Sequence, residues 1–276
     1  MGTVHVVATP IGNLEDVTLR ALRVLGEVDL VFAEDTRRTR VLLDRHSISA
    51  RPVSLHAHNE VARIAQALET LRAGGQIALV SDAGTPLVSD PGERLVAAAI
   101  ADGHRVEAVP GASAVLAALT CSGFAALPFT AIGFPPRKTG ERKRLFDSLR
   151  DRRETLIFFE SPKRVRGTLQ ALAESLGERR ACVCRELTKR FEEIARGELQ
   201  ELVQRFDETT KGEITVVVEG SSDDAEGLSD EQIEARIRAG LAEGRGPKDI
   251  AAKLAPETGQ PRRVLYSRVL SIRDES

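Results

Sequence analysis

Up to about residue 120, apolar positions along this chain alternate between two rhythms. Short unbroken runs such as Ile77-Ala78-Leu79-Val80 read as buried parallel strands. Runs with helical spacing, such as Leu95, Val96, Ala99 and Ile100, separate them. The pattern predicts strands near 4–9, 29–33, 53–55, 77–81 and 105–109 with helices between, one of them near Thr18–Leu25. Such alternation implies right-handed βαβ units and a mostly parallel sheet. Gly123–Pro128 breaks the helix after Ser113, and a second unit begins at Phe129. Its strands are predicted at 129–134, 155–160, 180–185, 193–196 and 213–219. The last two are separated by one or two helical turns, which predicts a mixed sheet.

A polar, acidic stretch, Ser221–Gly227, reads as a linker, and a different texture follows. Helices are predicted at 229–243, 247–254 and 261–272, with Ser229 as an N-cap and Pro247 and Pro261 at helix starts. Ile250, Ala251 and Leu254, then Val264, Leu265 and Val269, supply narrow apolar faces for a small three-helix unit. The expected organisation is therefore an α/β domain over 1–120, a second over 121–222 and a helical unit over 228–276.

Where predicted strands end, turn-forming residues accumulate. Ser81–Gly92, reading SDAGTPLVSDPG, holds two glycines, two prolines and two aspartates in twelve residues. Strand-to-helix connections are usually about two to six residues, and longer ones tend to be functional. Pro10-Ile11-Gly12-Asn13 and Pro110-Gly111-Ala112-Ser113-Ala114 repeat the grammar after two other strands. Open α/β sheets bind ligands at such carboxyl ends. None matches G-x-G-x-x-G or G-x-x-x-x-G-K-[ST], so a dinucleotide fingerprint and a Walker loop are poorly supported.

Composition narrows the class. The chain has 276 residues, 42% hydrophobic and 29% charged, which suits a globular protein with a proper core. No apolar run approaches the roughly 20 residues of a membrane span, and no signal-peptide pattern opens the chain. Cys121, Cys182 and Cys184 suit a reducing cytoplasm and lack a His/Cys partner set for a metal. A net charge of −2 excludes a globally basic nucleic-acid binder, yet the charge is unevenly placed. Residues 137–153 hold eight Lys/Arg, including Arg137, Lys138, Arg142, Lys143 and Arg144, against three acids. Arg37, Arg38 and Arg40 form a second cluster, Lys163, Arg164 and Arg166 a third, and Arg262, Arg263, Arg268 and Arg273 mark the last helix. Basic clusters beside the predicted ligand loops suit a phosphate-rich partner such as RNA.

The ordered series VATPIGNLEDVTLRAL, AEDTRRT, HNE at His58–Glu60, SDAGTPLVSDPG, VPGASA, FFESPKRV, RELTK at Arg185–Lys189 and KGE at Lys211–Glu213 resembles one family over residues 3 to about 220. That family is ribosomal RNA small subunit methyltransferase I, within the tetrapyrrole methylase superfamily. The resemblance implies two α/β domains with S-adenosylmethionine bound between them, 2′-O-methylation of a cytidine ribose in small-subunit (16S) ribosomal RNA, and a homodimer. The partner it implies is that RNA or the assembled small ribosomal subunit. One departure is Lys163, where the family leads us to expect histidine.

On this reading Ile11, Gly12, Ala83, Gly84, Thr85, Ser113 and Ala114 cradle the cofactor, with Asp82 as a carboxylate partner. By family analogy the adenine lies near Leu187, Gly212, Glu213, Ile214 and Thr215. Methyl transfer from a sulfonium needs in-line geometry and a dry pocket more than covalent help. Activating a ribose hydroxyl calls for a base or for positioning alone. His58, Glu60, Glu160 and Lys189 are the candidates, and each reads equally as a cap or an ion-pair partner. Asp35 either meets a ligand hydroxyl or caps the helix that begins near Thr36. Competing readings are methylation of a tetrapyrrole or a protein side chain, and a non-catalytic RNA-binding sensor of a small ligand.

Overall fold

The computed structural model describes residues 1–56, 59–207, 209–221, 230–258 and 260–274. It divides into two compact units, Met1–Gly220 and Ser221–Ser276. In the larger unit the chain alternates β1 (Thr3–Val7), α1 (Leu19–Glu27), β2 (Leu30–Ala33), α2 (Thr36–Arg45), β3 (Pro52–Ser54), α3 (Glu60–Arg72), β4 (Gln76–Val80), α4 (Glu93–Ala101) and β5 (Arg105–Val109). The strands pair in parallel in the order β3-β2-β4-β1-β5. Period-two alternation sends side chains to two faces. Val7, Val31, Ala33, Ala78 and Val80 pack on α1 and α2, while Val4, Phe32, Ile77 and Leu79 pack on α3 and α4.

This arrangement creates a switch point. From β1 the chain leaves through α1 towards β2; from the neighbouring β4 it leaves through α4 towards β5, on the other face. The two outgoing connections therefore diverge, and a crevice opens between the carboxyl ends of β1 and β4.

The helix α5 (Ala114–Ser122) is capped by the Ser113 side chain and ends at Gly123, whose φ of 83° is left-handed. It is followed by β6 (Phe129–Gly133), α6 (Thr139–Ser148), β7 (Thr155–Glu160), α7 (Val165–Leu176), β8 (Arg180–Arg185), β9 (Glu193–Glu198), α8 (Leu199–Arg205) and β10 (Ile214–Val218). The second sheet is mixed, in the order β6-β7-β10-β8-β9, with β6·β7 parallel and the other pairs antiparallel. Although β9 and β10 are consecutive, they are not neighbours. β10, buried at every residue, inserts between β7 and β8 and leaves β9 at the edge. One face of this sheet packs on α6, α7 and α8. On its other face Ile157, Cys182, Cys184 and Val217 meet α5 through Val115, Ala118 and Leu119, joined by Ile11 and Leu187. That apolar cluster brings the two sheets together around α5.

The smaller unit contains α9 (Asp230–Ala242), α10 (Pro247–Thr258) and α11 (Arg262–Asp274). Its core is Ile233, Ile237, Ile250, Ala251, Leu254, Leu265, Val269 and Ile272. Val264 is not part of it. It is exposed, because the inward stripe of α11 runs 265, 269, 272 and position 264 falls outside that helical spacing. The predicted N-cap Ser229 lies outside the described residues, as does His58.

Candidate active site

Three adjacent strand ends are clipped together by backbone and hydroxyl groups. Thr9 and Gly84 exchange backbone hydrogen bonds of 2.9 and 3.0 Å, Thr9 Oγ1 donates to Ser81 O at 3.3 Å, and Thr85 Oγ1 donates to Ala112 O at 3.3 Å. The Ser81–Gly92 loop is tightly wound, with left-handed φ at Gly84 (81°), Leu87 (73°), Ser89 (78°) and Gly92 (120°). Left-handed backbone at a branched residue such as Leu87 persists only where surroundings over-determine it. Leu87 is held against the core that includes Leu79, and a Cβ at Gly92 would stand 2.7 Å from Leu79 Cδ2.

The opposite wall comes from the second sheet. Glu186 N donates to Glu213 O at 2.9 Å and Glu213 N donates to Glu186 Oε1 at 2.9 Å, closing the loop after β8 onto the start of β10. Asn13 N donates to Thr188 Oγ1 at 3.1 Å, linking the loop after β1 to this wall.

Between the walls is a cavity of about 380 Å³. Its lining includes Ile11, Asp82, Ala83, Gly84, Thr85, Ser113, Ala114, Leu187, Gly212, Glu213, Ile214 and Thr215. Of the residues assigned to a cofactor from the sequence, Gly12 lies one step away, in an adjoining pocket bounded by Ile11, Asp82 and Lys189. A Cβ at Gly12 would come within 2.4 Å of Lys189 Cγ, so close packing of the two walls excludes a side chain there. Sequence reasoning had not singled out Val88, Ser89, Asp90, Phe134, Phe159 or Pro162, which also line the cavity. The first three sit inside the motif already recognised, and the last two in FFESP. Phe134 carries no motif; it lines the cavity with its ring tilted against Phe159 of the neighbouring strand, centroids 5.5 Å apart.

The candidate bases are distributed unevenly. Glu160 lines the cavity, but its carboxylate accepts from Ser161 N at 2.7 Å and Thr168 Oγ1 at 2.6 Å, with Arg164 Nη2 at 3.4 Å. It is a buried brace for the turn after β7. Lys189 Nζ donates to Glu186 Oε1 at 2.8 Å and Glu213 Oε2 at 3.1 Å. Burial works against its charge, yet those two carboxylates outweigh it and hold its pKa above the ordinary lysine value. An ammonium so held is a poor base. Glu60 opens α3 and pairs with Arg94 at 3.6 Å; it is absent from the cavity lining. Asp35 caps α2, accepting from Arg37 N at 2.9 Å, and its hydrogen bonds from the Arg37 side chain and backbone lower its pKa to about 2.

Asp90 behaves differently. Burial, then the Glu34 and Asp82 carboxylates, push its pKa up to about 6, against a hydrogen bond from Ser81. Glu34 is raised as well, by burial and then by Asp82.

The basic residues also separate. Arg38 lines the cavity, with Nε 3.6 Å from Asp82 Oδ2 and Nη1 3.9 Å from Glu213 Oε1, so it spans the two walls. Arg40 donates to Ala50 O at 3.2 Å and braces its own loop. Arg142 is half-buried, whereas Arg37, Arg137, Lys138, Lys143, Arg144, Arg262 and Arg263 are exposed. Lys138 and Lys143 pair with Glu141 and Asp147 on their own helix. In α11, Arg268 is committed to Asp230 and Glu234 of α9. Lys163 is exposed, one residue beyond the cavity-lining Pro162.

Residues 3–203 match the family model of the tetrapyrrole (corrin/porphyrin) methylases. A ribosomal RNA small subunit methyltransferase I of Mesorhizobium japonicum is 46% identical over 274 residues, covering 99% of this chain and 92% of the relative. One of the same name from Synechocystis is 43% identical, covering 99% of both chains. In fold, the chain is similar to uroporphyrin-III C-methyltransferase of Thermus thermophilus, solved with S-adenosylhomocysteine: TM-score 0.55, 22% identity, 80% of this chain and 98% of that one. No described helix is long and apolar enough to cross a membrane. With relatives this similar along nearly the whole chain, and with the methylase model matching residues 3–203, the chain belongs to the ribosomal RNA small subunit methyltransferase I family of the tetrapyrrole methylases.

Proposed function

We propose that this protein transfers the methyl group of S-adenosylmethionine to the 2′-hydroxyl of a cytidine ribose in small-subunit ribosomal RNA. The observation that carries this reading is the switch-point cavity, in a chain 46% identical to a relative that bears that RNA in its name. Its lining fits the cofactor. Asp82, Glu160 and Glu213 face it against Arg38 as the lining cation, the sign of field that a sulfonium and an ammonium need. Ile11, Val115, Leu187 and Ile214 supply apolar faces for an adenine. Gly84 leaves the backbone approachable, since a Cβ there would stand 3.2 Å from Ile11 Cγ2 and narrow the space.

S-adenosylmethionine bound here supplies a methyl group on a positively charged sulfur. The protein's part is to bind, orient and exclude water. Glu160 fixes the turn that carries Ser161 and Pro162, and Lys189 fixes Glu186 and Glu213 in the opposite wall. The exposed Arg37, Arg137, Lys138, Lys143 and Arg144, with Arg262 and Arg263 of the tail, serve as contacts to RNA phosphates, which position without reading sequence. The proposal extends, on the family resemblance, to a cytoplasmic homodimer acting on the assembled small subunit. Sedimentation equilibrium should then report twice 29.9 kDa.

Methyl-labelled S-adenosylmethionine incubated with purified small subunits tests the activity. The expected result is label in the RNA, on a cytidine whose 3′ linkage resists alkali. Label on a tetrapyrrole, or on protein and never on RNA, would overturn the substrate assignment.

A further inference from the structure

We propose that Asp90 is the catalytic base of this site: its carboxylate takes the proton of the ribose 2′-hydroxyl as that oxygen accepts the methyl group. The inference rests on the methyl-transfer reading and adds the residue that completes it. It is carried by position and by what each carboxylate of the lining already holds. Glu160 is saturated by Ser161, Thr168 and Arg164; Asp82 accepts from Asp35 N at 2.8 Å and faces Arg38; Glu213 is bound to Lys189. Asp90 lines the same cavity, and the charges that act on it are the carboxylates of Glu34 at the end of β2 and Asp82 after β4, with the Ser81 hydroxyl as its hydrogen-bonding neighbour. No arginine or lysine among the described residues is thereby spent on it.

Its surroundings suit a nucleoside. Ser89, in left-handed backbone, precedes it, and Phe134, Phe159 and Pro162 share the lining, with Phe134 exposed and its ring tilted at 50° against Phe159. Exposed aromatic faces beside a polar group are what an unstacked base requires.

The step balances simply. The 2′-oxygen to methyl-carbon bond forms as the carbon–sulfur bond breaks, and the electron pair leaves on sulfur, which becomes a neutral thioether. The hydroxyl proton passes to Asp90 and then to water. A base is most effective with a pKa near the working pH, and burial among like charges moves Asp90 in that direction, to about 6. Below that pH the group is protonated and cannot accept, so the rate should rise with pH through about 6 and then level.

Asp90→Asn and Asp90→Glu test this with single-turnover methylation of small subunits. For Asp90→Asn we expect a rate lower by roughly 100-fold or more, with S-adenosylmethionine affinity within about threefold of wild type. Asp90→Glu should recover part of the rate. The wild-type pH–rate limb near 6 should vanish in Asp90→Asn. Independently of turnover, carbon-13 NMR of aspartate-labelled protein should show a carboxyl resonance titrating near pH 6 that is missing from this variant. A folded Asp90→Asn that methylates within threefold of wild type, or that loses cofactor affinity in step with rate, overturns the assignment. If wild type labels ribose and the variant labels equally, only the base falls. If wild type never labels RNA, the methyl-transfer reading itself falls.

Discussion

Gly84→Val is the sharpest probe of the cavity. Gly84 sits at φ 81°, where an L-residue with a Cβ is strained by roughly 1–2 kcal/mol. Its added Cβ would stand 3.2 Å from Ile11 Cγ2 and 3.6 Å from Ala112 O, and the two γ-methyls need further room beside Ile11, a residue of the cavity lining. Overpacking of that kind adds about 1–3 kcal/mol. A total of about 3 kcal/mol lies within the roughly 5–15 kcal/mol of a typical domain, so the variant should fold. At about 2–4 °C per kcal/mol, the melting temperature should fall by about 6–12 °C. Occupied space should weaken S-adenosylmethionine by more than about tenfold, which is 1.4 kcal/mol. Gly103→Val is the matched control: φ is 79° and nothing lies within 4 Å of its Cβ, so it carries the strain without the intrusion. Scanning calorimetry and titration calorimetry on both variants separate the two effects. A folded Gly84→Val that binds the cofactor at wild-type affinity would place the cofactor elsewhere. Equal loss of affinity in Gly103→Val would show that backbone strain, not the cavity wall, was measured.

Three further outcomes are expected. Because the folded-state pKa of Asp90 lies above its unfolded value, stability associated with it is lost as pH rises from about 4 through 6. Asp90→Asn should therefore melt higher than wild type at pH 7.5, by an amount on the order of 2 kcal/mol, and the advantage should disappear by pH 4; a variant that melts lower at pH 7.5 contradicts this sign. Glu160→Ala strands the Ser161 N–H, the Thr168 hydroxyl and Arg164 and should destabilise by roughly 2–4 kcal/mol in urea unfolding, with an unchanged midpoint counting against the brace. Truncation after Gly220 removes a unit with its own apolar core, so cofactor affinity should stay within about threefold while methylation of small subunits falls and its salt dependence flattens; full-rate methylation by the truncated protein would deny the tail a role in RNA recruitment.

Much of this protein was legible in one dimension. Strands β2 and β4 follow from short apolar runs, because a parallel strand covered on both faces needs apolar residues at nearly every position. Asp35 announced α2, because a cap is a local hydrogen bond between a side chain and the backbone two or three residues on, and the structure shows Thr18 and Ser113 capping α1 and α5 in the same way. Gly84 and Gly92 marked the loop, since only glycine enters left-handed backbone without strain.

What the tertiary structure decided was partnership across distance. The place of β10 between β7 and β8 is a choice of pairing among strands of similar apolar character, and no local pattern encodes it. Arg38 and Arg40 belong to one basic cluster in the sequence, yet one spans the cavity walls and the other braces a loop, because an α-helix directs them to different faces. Glu160 and Lys189 were candidates for proton transfer until Thr168, Arg164, Glu186 and Glu213 were seen to hold them. Asp90 had the opposite history: it stood unremarked in SDPG, and only folding set it in a cavity beside Glu34 and Asp82. The physical reason is common to all four. Periodicity and capping are local terms that a linear chain carries with it, whereas the charge state and availability of a polar group depend on burial and neighbours that exist only once distant segments have packed.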